Sequence, residues 1–303
     1  MSGITRLRRI DIGLVLCAAL ALASASLADE PPDQDAMSAE ELSRQLNNPV
    51  SSIWSFNLQS NIVSMKNSGE DLPNWNHGNT EWFYNLNFQP VIPLHLTDSW
   101  NLITRPVFPF YAERPVLDDD EIEHEGGLGD INLFSLFSPA QEQAGILWGV
   151  GPSFIFPSAT KNALGQEKWQ AGPAAVALHL GHEWIFGVLA QQWWSFAGDD
   201  SAPKTSQANV QYFLYRLLPD EWQIGMGPNM TVDWEADDGN EVTFPVGLGA
   251  GKLVKFGKFP VKFTFEVDYA VVNPDDVGQR WNLRLQIIPV LPALVKRKLL
   301  PEF

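Results

Sequence analysis

The chain has 303 residues with 36 acidic and 20 basic side chains, giving a formal net charge of −16 at pH 7, and this negative excess argues against nucleic acid as a partner. Twelve tryptophans and 18 phenylalanines in a chain of slightly negative mean hydropathy, −0.11, favour alternating apolar and polar residues over the thick core of a soluble protein. Cys17 is the only cysteine and lies in the N-terminal leader. The mature chain is therefore predicted to have no disulfide and no cysteine metal site.

Residues 1–28 have the pattern of a secretory signal peptide. Arg6, Arg8 and Arg9 supply a basic start, residues 12–27 form an apolar run, and Ala28 provides a small residue for cleavage before Asp29. No later segment approaches 18 uninterrupted apolar residues, so the sequence predicts no transmembrane helix. We expect export through the inner membrane and removal of the leader.

A periplasmic segment is predicted at residues 29–52. Ser38, followed three residues later by Glu41, has the spacing of a helix-capping pair, which predicts a short helix starting at Ser38. A disordered leader is the alternative interpretation of this polar stretch.

Residues 222–234 carry the clearest strand pattern. Every second residue from Trp222 to Trp234 is apolar, and the residues between them are polar or glycine. Twelve steps of a tilted strand rise on the order of 30 Å, which is close to the apolar band of an outer-membrane barrel between its aromatic girdles. The pattern predicts a strand with an oily face toward lipid.

Similar segments recur, and the connections between them alternate between tight turns and long polar loops, as in outer-membrane barrels. The predicted strands are 53–66, 80–92, 100–111, 129–137, 145–157, 169–180, 183–196, 206–217, 221–234, 241–254, 259–271 and 279–291. Gly-Pro pairs at 151–152, 172–173 and 227–228 predict bulges or bends. The predicted fold is all-β, a transmembrane antiparallel barrel of about twelve strands at 53–291 with a periplasmic tail at 292–303. The alternative is a periplasmic all-β protein.

Several motifs resemble a bacterial family of presumed outer-membrane proteins. The motifs are N-P-V-S-S-I-W-S-F-N-L-Q-S-N from Asn48, Q-P-V-I-P from Gln89, S-W-N-L-I-T-R from Ser99, G-L-G-D-I from Gly127, W-G-V-G-P-S-F-I-F-P-S-A-T from Trp148, L-G-Q-E-K-W-Q-A-G-P from Leu164, W-S-F-A-G-D from Trp194 and W-N-L-R from Trp281. Members are often labelled "neuromedin U" by erroneous transfer, or "transporter", and the family is similar to the phenol-degradation MetA-pathway family. The resemblance covers nearly the whole mature chain and implies an outer-membrane barrel that passes small, hydrophobic or aromatic compounds.

Polar residues on the inward faces of the predicted strands are the candidate functional surface, since they would line a lumen. The candidates are Arg105, Asp130, Asn229, Asp233, Lys262, Glu266, Asp268, Arg280 and Arg284. Charges across a narrow bore set ion preference, but paired charges also fill and brace a bore of this size. The functional prediction is an outer-membrane channel for small solutes, and a structural barrel with a closed lumen is the alternative. Glycines of the inward face, Gly225, Gly227, Gly247, Gly249 and Gly251, are interpreted as leaving space, whereas Phe134, Leu136 and Trp193 would fill it.

Two further activities rank below the channel. The acidic stretch 118–125 has carboxylates suited to Ca²⁺ or Mg²⁺, but it lacks an EF-hand spacing, so no metal site is assigned. A lipid hydrolase needs a histidine beside a serine, and no histidine alternates with serine near the outer rim, so no catalytic residue or cofactor is assigned. The expected partners are outer-membrane lipid, lipopolysaccharide, the barrel assembly machinery and an unidentified small solute.

Overall fold

The structure, a computed structural model, describes residues 37–72, 75–118, 121–257 and 259–291. The predicted signal peptide at 1–28 and the predicted tail at 292–303 lie outside these residues. The described chain begins with one helix, α1 (Ala39–Gln45), and continues into antiparallel strands. The strands are β1 (Ser55–Asn67), β2 (Thr80–His95), β3 (Trp100–Asp118), β4 (Glu121–Leu128), β5 (Ile131–Pro139), β6 (Ile146–Phe156), β7 (Lys168–Leu180), β8 (Trp184–Gly198), β9 (Ser206–Leu217), β10 (Trp222–Met226), β11 (Asn229–Asp233), β12 (Val242–Phe256), β13 (Phe259–Val272) and β14 (Val277–Pro289).

The strands close into one barrel. Each barrel strand pairs with its sequence neighbours, and β1 pairs with β14, where Leu58 lies opposite Ile287. Strands β10 and β11 together occupy one position between β9 and β12, and β4 pairs only with β3, so the barrel has twelve strands. Closure leaves no open sheet edge in lipid. The predicted twelve-stranded transmembrane barrel is confirmed. No helix of the described residues is long and apolar enough to cross a membrane.

The two ends of the barrel differ in their connections. Short connections at 96–99, 181–183 and 218–221 lie at one end, here called the short-turn end. Longer connections at 68–79, 157–167 and 234–241 lie at the other, the long-loop end. In outer-membrane barrels the short turns face the periplasm. An even number of strands places the start of β1 and the end of β14 together at the short-turn end.

Strand alternation places apolar side chains outside. In the stretch that includes β10 and β11, Trp222 is 44% exposed and Trp234 is 60% exposed, whereas Gln223 is only 1% exposed. The predicted alternation of exposure is therefore seen in β10, and a tryptophan lies at each end of the stretch. It is not seen in β11, where Val232 is only 4% exposed while Thr231 and Asp233 are exposed. Lys252 lies 4.9 Å from the ring of Trp222, which is a typical arrangement at a membrane interface.

The strand predicted at 221–234 is interrupted at Gly227 and Pro228, as the Gly-Pro pair indicated. Its register with β9 is continuous across the break, since Gln223 lies opposite Leu217 and Asn229 opposite Gln211. Within the described residues, no ladder pair joins 226–230 to 244–248 of β12. Pro228 and Pro245 both lack the N–H that such a pair needs. Strands β6 and β7 continue through their own Gly-Pro pairs. Among the described ladder pairs, however, Gly151 and Pro152 have none with β5, and Gly172 and Pro173 have none with β8.

The prediction that residues 112–128 form a polar loop was wrong. Strand β3 continues to Asp118 and pairs with β4, with Val116 opposite Glu123 and Pro115 opposite His124. The backbone stays extended because residues 114–118 and 121–125 form a continuous antiparallel ladder with each other. Asp119 and Asp120 lie outside the described residues.

Candidate functional site: the lumen and the segment that closes it

Helix α1 lies at the short-turn end of the barrel. It begins as predicted, because the Ser38 hydroxyl accepts a hydrogen bond from the backbone N–H of Glu41 at 3.1 Å. Leu42 is buried, and Arg44 donates to the carbonyl oxygen of Leu180 at 2.7 Å, next to a short turn. Leu42 belongs to an apolar cluster with Ile53, Leu253 and Val290. The helix is therefore attached to the barrel mouth.

An ion pair within α1 stabilises the helix. Arg44 approaches the carboxylate of Glu41 at 2.7 and 2.9 Å, and Gln45 donates to the same carboxylate at 2.8 Å. Burial acts to raise the pKa of Glu41, but the hydrogen bonds from Arg44 and Gln45 and the charge of Arg44 outweigh it, so the pKa lies below its ordinary value of 4.5. The carboxylate is ionised at neutral pH.

This lowered pKa makes the attachment of α1 sensitive to acid. The ion pair contributes its full stability above the ordinary pKa of 4.5, and that stability is lost as the pH falls through the lower pKa of the folded state. We expect amide protection of residues 39–45, measured by hydrogen exchange and corrected for intrinsic rates, to fall below about pH 4.5. In Glu41→Gln the protection should be low at every pH. The control Glu40→Gln changes the exposed neighbouring carboxylate, and it should keep the wild-type pH dependence. Identical profiles for wild type and Glu41→Gln would contradict the assignment.

Residues 46–51, which follow α1, enter the lumen, and we call them the plug segment. Asn47 donates to the inward side chain of Gln223 at 2.8 Å and accepts a hydrogen bond from the ammonium group of Lys262 at 2.5 Å. Val50 is 3% exposed and belongs to the apolar cluster inside the barrel. Its N–H donates to the side chain of Asn48 at 2.9 Å, which holds the turn of the segment. Part of the segment predicted as periplasmic, residues 29–52, therefore lies within the barrel.

One side of the lumen is apolar at the short-turn end. Side chains from β3 and β5–β9 form a cluster around Val50. Its members on the strands are Ile103, Phe134, Leu136, Leu147, Ala174, Val176, Leu178, Leu180, Ile185, Leu189 and Phe213. Phe134 and Leu136, which the sequence predicts to fill the bore, are both buried there. This wall would accommodate an apolar group if Val50 left.

The opposite side of the lumen is a network of amides. Gln59 donates to Asn61 at 3.2 Å, and Asn61 donates to Asn85 at 2.9 Å. Gln89 and Gln286 each donate to Gln59, at 3.3 and 3.2 Å. Amides supply both donors and acceptors, so this wall can replace the hydration of many polar solutes.

Three of the predicted lumen residues form one buried charge cluster. Arg284 donates to Glu266 at 2.5 Å and lies 3.4 Å from Asp268, and the side chains of all three are at most 2% exposed. Asn282 donates to Asp268 at 3.2 Å. Glu266 also accepts a hydrogen bond from the backbone N–H of Gly227 at 2.8 Å. Gly227 precedes Pro228, at the interruption between β10 and β11. The cluster thus provides a hydrogen-bond partner where the strand ladder is interrupted.

Arg105 and Lys262 differ from Arg284 in having no acidic partner. Arg105 donates to Gln89 and lies 6.0 Å from the ring of Phe134, and its Nε is buried without a partner. Lys262 is 2% exposed and donates to Asn47. Neither residue forms an ion pair with any described carboxylate. Both line one cavity of about 70 Å³ beneath the plug segment.

The remaining predicted lumen residues lie away from this cavity. Asp130 organises the loop at 157–167, because its carboxylate accepts N–H groups of Ser158 and Ala159 at 3.1 Å and of Gln166 at 2.7 Å. Arg280 donates to Ser68 at 3.4 Å near the long-loop end.

Two further predicted residues belong to β11. Asn229 lies opposite the inward Gln211, and Asp233 is exposed and accepts the N–H of Glu235 at 3.1 Å. The structure therefore brings Glu266, Asp268 and Arg284 together, places Arg105 and Lys262 on a second site, and leaves Asp130, Asn229, Asp233 and Arg280 outside both.

The interpretation of the five inward glycines as open space was wrong, because a Cβ at any of them would lie within 3.0 Å of a neighbouring atom. A Cβ at Gly247 would lie 2.2 Å from Asp268, and one at Gly225 would lie 2.0 Å from the carbonyl oxygen of Leu214 and 2.8 Å from the ring of Tyr215. The space beside these glycines is occupied by neighbouring side chains and backbone. Their small size admits the buried charge cluster and Tyr215 rather than solvent.

Sequence reasoning missed Asn47 and Gln223 as site residues. The alternation of its strand places Gln223 on the polar face. It was not singled out because only its position near the short-turn end distinguishes it from the other inward amides. Asn47 lies in irregular backbone, where no periodicity indicates what a side chain contacts.

The described histidines show no catalytic pairing. His77 contacts the carbonyl oxygen of Gly69 at 2.8 Å, His95 contacts Asn101 at 2.8 Å, and His124 lies 3.6 Å from Glu81. In the described part of the chain, no histidine forms a hydrogen bond with a serine. The same part contains no group of three metal-ligating side chains.

A closed twelve-stranded barrel with an outward apolar face and a polar, partly filled lumen defines the class: the chain has the fold of an outer-membrane β-barrel. No protein-family model matches the chain, and no curated protein is significantly similar to it.

Three solved structures overlap with most of this chain. The COG4313 outer membrane channel from Pseudomonas putida F1 has a TM-score of 0.59 and 16% identity, over 79% of this chain and 96% of the channel. A FadL homologue from Pseudomonas aeruginosa has a TM-score of 0.38 and 10% identity, over 84% of this chain and 94% of its own. The toluene transporter TodX from Pseudomonas putida has a TM-score of 0.33 and 9% identity, over 82% of this chain and 92% of its own. Of these three, the COG4313 channel alone has a TM-score above 0.5, so its similarity includes the overall fold.

Proposed function

We propose that the protein is an outer-membrane channel for small solutes, and that the plug segment closes its lumen at the periplasmic end. The observation that carries the proposal is that the obstruction belongs to residues outside the barrel wall. The plug segment contacts the wall through side chains such as Asn47 and Val50, so it can leave without breaking a strand pair. A bore filled only by wall side chains would have no such movable part.

The lumen has the features expected of a solute path. Above the plug segment, toward the long-loop end, a second cavity of about 270 Å³ is lined in part by Phe83, Tyr111, Arg114 and Thr231. Below this cavity, the amide network forms one wall of the lumen and the apolar cluster around Val50 forms part of the other. A solute with one polar and one apolar side would contact both walls favourably. The similarity in fold to an outer membrane channel supports the proposal.

The finer points of function are inferences from the sequence motifs. We infer that the chain belongs with the outer-membrane proteins labelled "neuromedin U" or "transporter", and that its solutes include hydrophobic or aromatic compounds. The apolar wall that surrounds Val50 supports this inference. Outer-membrane lipid, lipopolysaccharide and the assembly machinery are the partners that a barrel of this fold requires.

The test tethers the plug to the wall. Asn47 and Gln223 are each replaced by cysteine in the mature chain, which otherwise contains no cysteine because Cys17 belongs to the predicted leader. Their side chains are in hydrogen-bond contact, so a short bis-methanethiosulfonate reagent can span them. We expect the refolded, linked protein to show only a small, steady conductance in planar bilayers, and reduction of the linker to restore larger openings.

The single variant Asn47→Cys, treated with the same reagent, is the control, and it should keep its openings. Absence of any conductance in the wild type and in the reduced protein would contradict the channel proposal and favour the closed structural barrel.

A further inference from the structure

The cavity beneath the plug segment has an unusual charge for this protein. The chain as a whole is strongly acidic, with a formal net charge of −16. Yet the residues that line this cavity include Arg105 and Lys262 and no carboxylate. The buried acids of the lumen, Glu266 and Asp268, are already paired with Arg284. The cavity is therefore a local cationic site inside an anionic protein.

Both cations have donor capacity to spare. The Nε of Arg105 is buried without a hydrogen-bond partner, although a guanidinium group carries five N–H donors. The only described acceptor for the Lys262 ammonium is the Asn47 side chain, which belongs to the plug segment rather than to the barrel. Burying cations without an anion is unfavourable, and a ligand anion would relieve that cost.

The rest of the cavity lining indicates what kind of anion fits. Gln223, Gln286 and Thr264 can each donate one further hydrogen bond, while Phe213, Tyr215 and Ile288 present apolar surface. Arginine binds planar carboxylates in a fork. If a small inorganic anion bound here, the apolar side chains of the lining would still face water. An anion that carries an aromatic or aliphatic group would cover them.

We propose that this cavity binds a small organic monocarboxylate between Arg105 and Lys262, and that the carboxylate competes with Asn47 for the lysine. This inference rests on the proposed function and specifies the solute class of the same lumen. Binding would withdraw one of the two described polar contacts that hold Asn47 to the wall, so that the solute itself loosens the plug segment. The other contact, to Gln223, remains.

The test is calorimetric titration of the refolded full mature chain in detergent with benzoate, and separately with its neutral analogue benzamide. We expect heat with benzoate and none with benzamide. Arg105→Gln and Lys262→Gln should each weaken benzoate binding by about tenfold or more, since each removes a charge-assisted hydrogen bond. Arg105→Lys, which keeps the charge but loses the fork, should fall between wild type and Arg105→Gln.

Lys252→Gln is the matched control, because Lys252 packs on Trp222 at the outer surface and its loss removes one positive charge outside the lumen. It should bind benzoate as the wild type does. Folding of every variant is verified by the shift in gel mobility between heated and unheated samples. Equal heats for benzoate and benzamide, or unchanged binding in both cavity variants, would overturn the proposal, and so would equal heats for chloride and benzoate.

The two proposals fail separately. A protein that conducts ions but does not bind benzoate would remove the carboxylate site and leave the channel. A protein that binds benzoate through Arg105 but never conducts would keep the site and remove the channel.

Discussion

Arg284→Met should strongly destabilise the barrel. The change leaves the carboxylates of Glu266 and Asp268 side by side in a buried position with no counter-charge. Breaking a buried ion pair by removing one partner costs about 3–5 kcal/mol of the free energy of unfolding. Guanidinium unfolding of the refolded protein in detergent micelles, followed by tryptophan fluorescence, measures the loss. Its matched control is Arg216→Met, because Arg216 lies outside the barrel against Trp184, and that change should shift the midpoint little.

The neutral triple variant Glu266→Gln, Asp268→Asn and Arg284→Met separates charge from packing. Because this cluster then contains no charged side chain, we expect the triple variant to recover much of the stability that Arg284→Met loses. The side-chain amide oxygen introduced by Glu266→Gln would still accept a hydrogen bond from the N–H of Gly227, so this backbone donor would remain paired. A triple variant as unstable as the single one would show that packing, rather than uncompensated charge, explains the loss.

Much of the barrel could be predicted from the sequence, because strand alternation reports directly which way each side chain points. Trp222 and Trp234 are exposed, as expected of an outward face, and Lys262, Glu266 and Arg284, which the alternation predicts to face inward, are buried. The alternation of short and long connections indicated the strand count, since turn chemistry is local. The outer half of β3 was missed because the acidic residues after it resemble a solvated loop.

The arrangement inside the lumen could not be predicted, since it depends on contacts between residues distant in the sequence. Lys262 donates a hydrogen bond to Asn47, although the two residues are 215 positions apart in the sequence. The residues around either one give no indication of this contact. Asp130 has the same strand parity as true lumen residues but serves the loop at 157–167. Periodicity determines the face of a strand but not the height at which two inward side chains meet.

Val50→Asp should open the lumen. Val50 is the apolar anchor of the plug segment, and an aspartate there would place an unpaired carboxylate in a cluster of aliphatic and aromatic side chains. A buried, unpaired charge is unfavourable by several kcal/mol. Even about 3 kcal/mol would shift the ratio of closed to open molecules by roughly a hundredfold. The plug segment should therefore leave the lumen while the strands stay paired.

Single-channel recording of Val50→Asp in planar bilayers, beside Ser52→Asp, tests most directly whether the plug segment closes a solute path. Ser52 lies two residues away and is exposed, so the same added charge should leave its conductance at the wild-type level. We expect Val50→Asp to show a conductance several times larger than that of the wild type and to be open for most of the recording. A folded Val50→Asp barrel whose conductance equals that of the wild type and of Ser52→Asp would contradict the proposed channel.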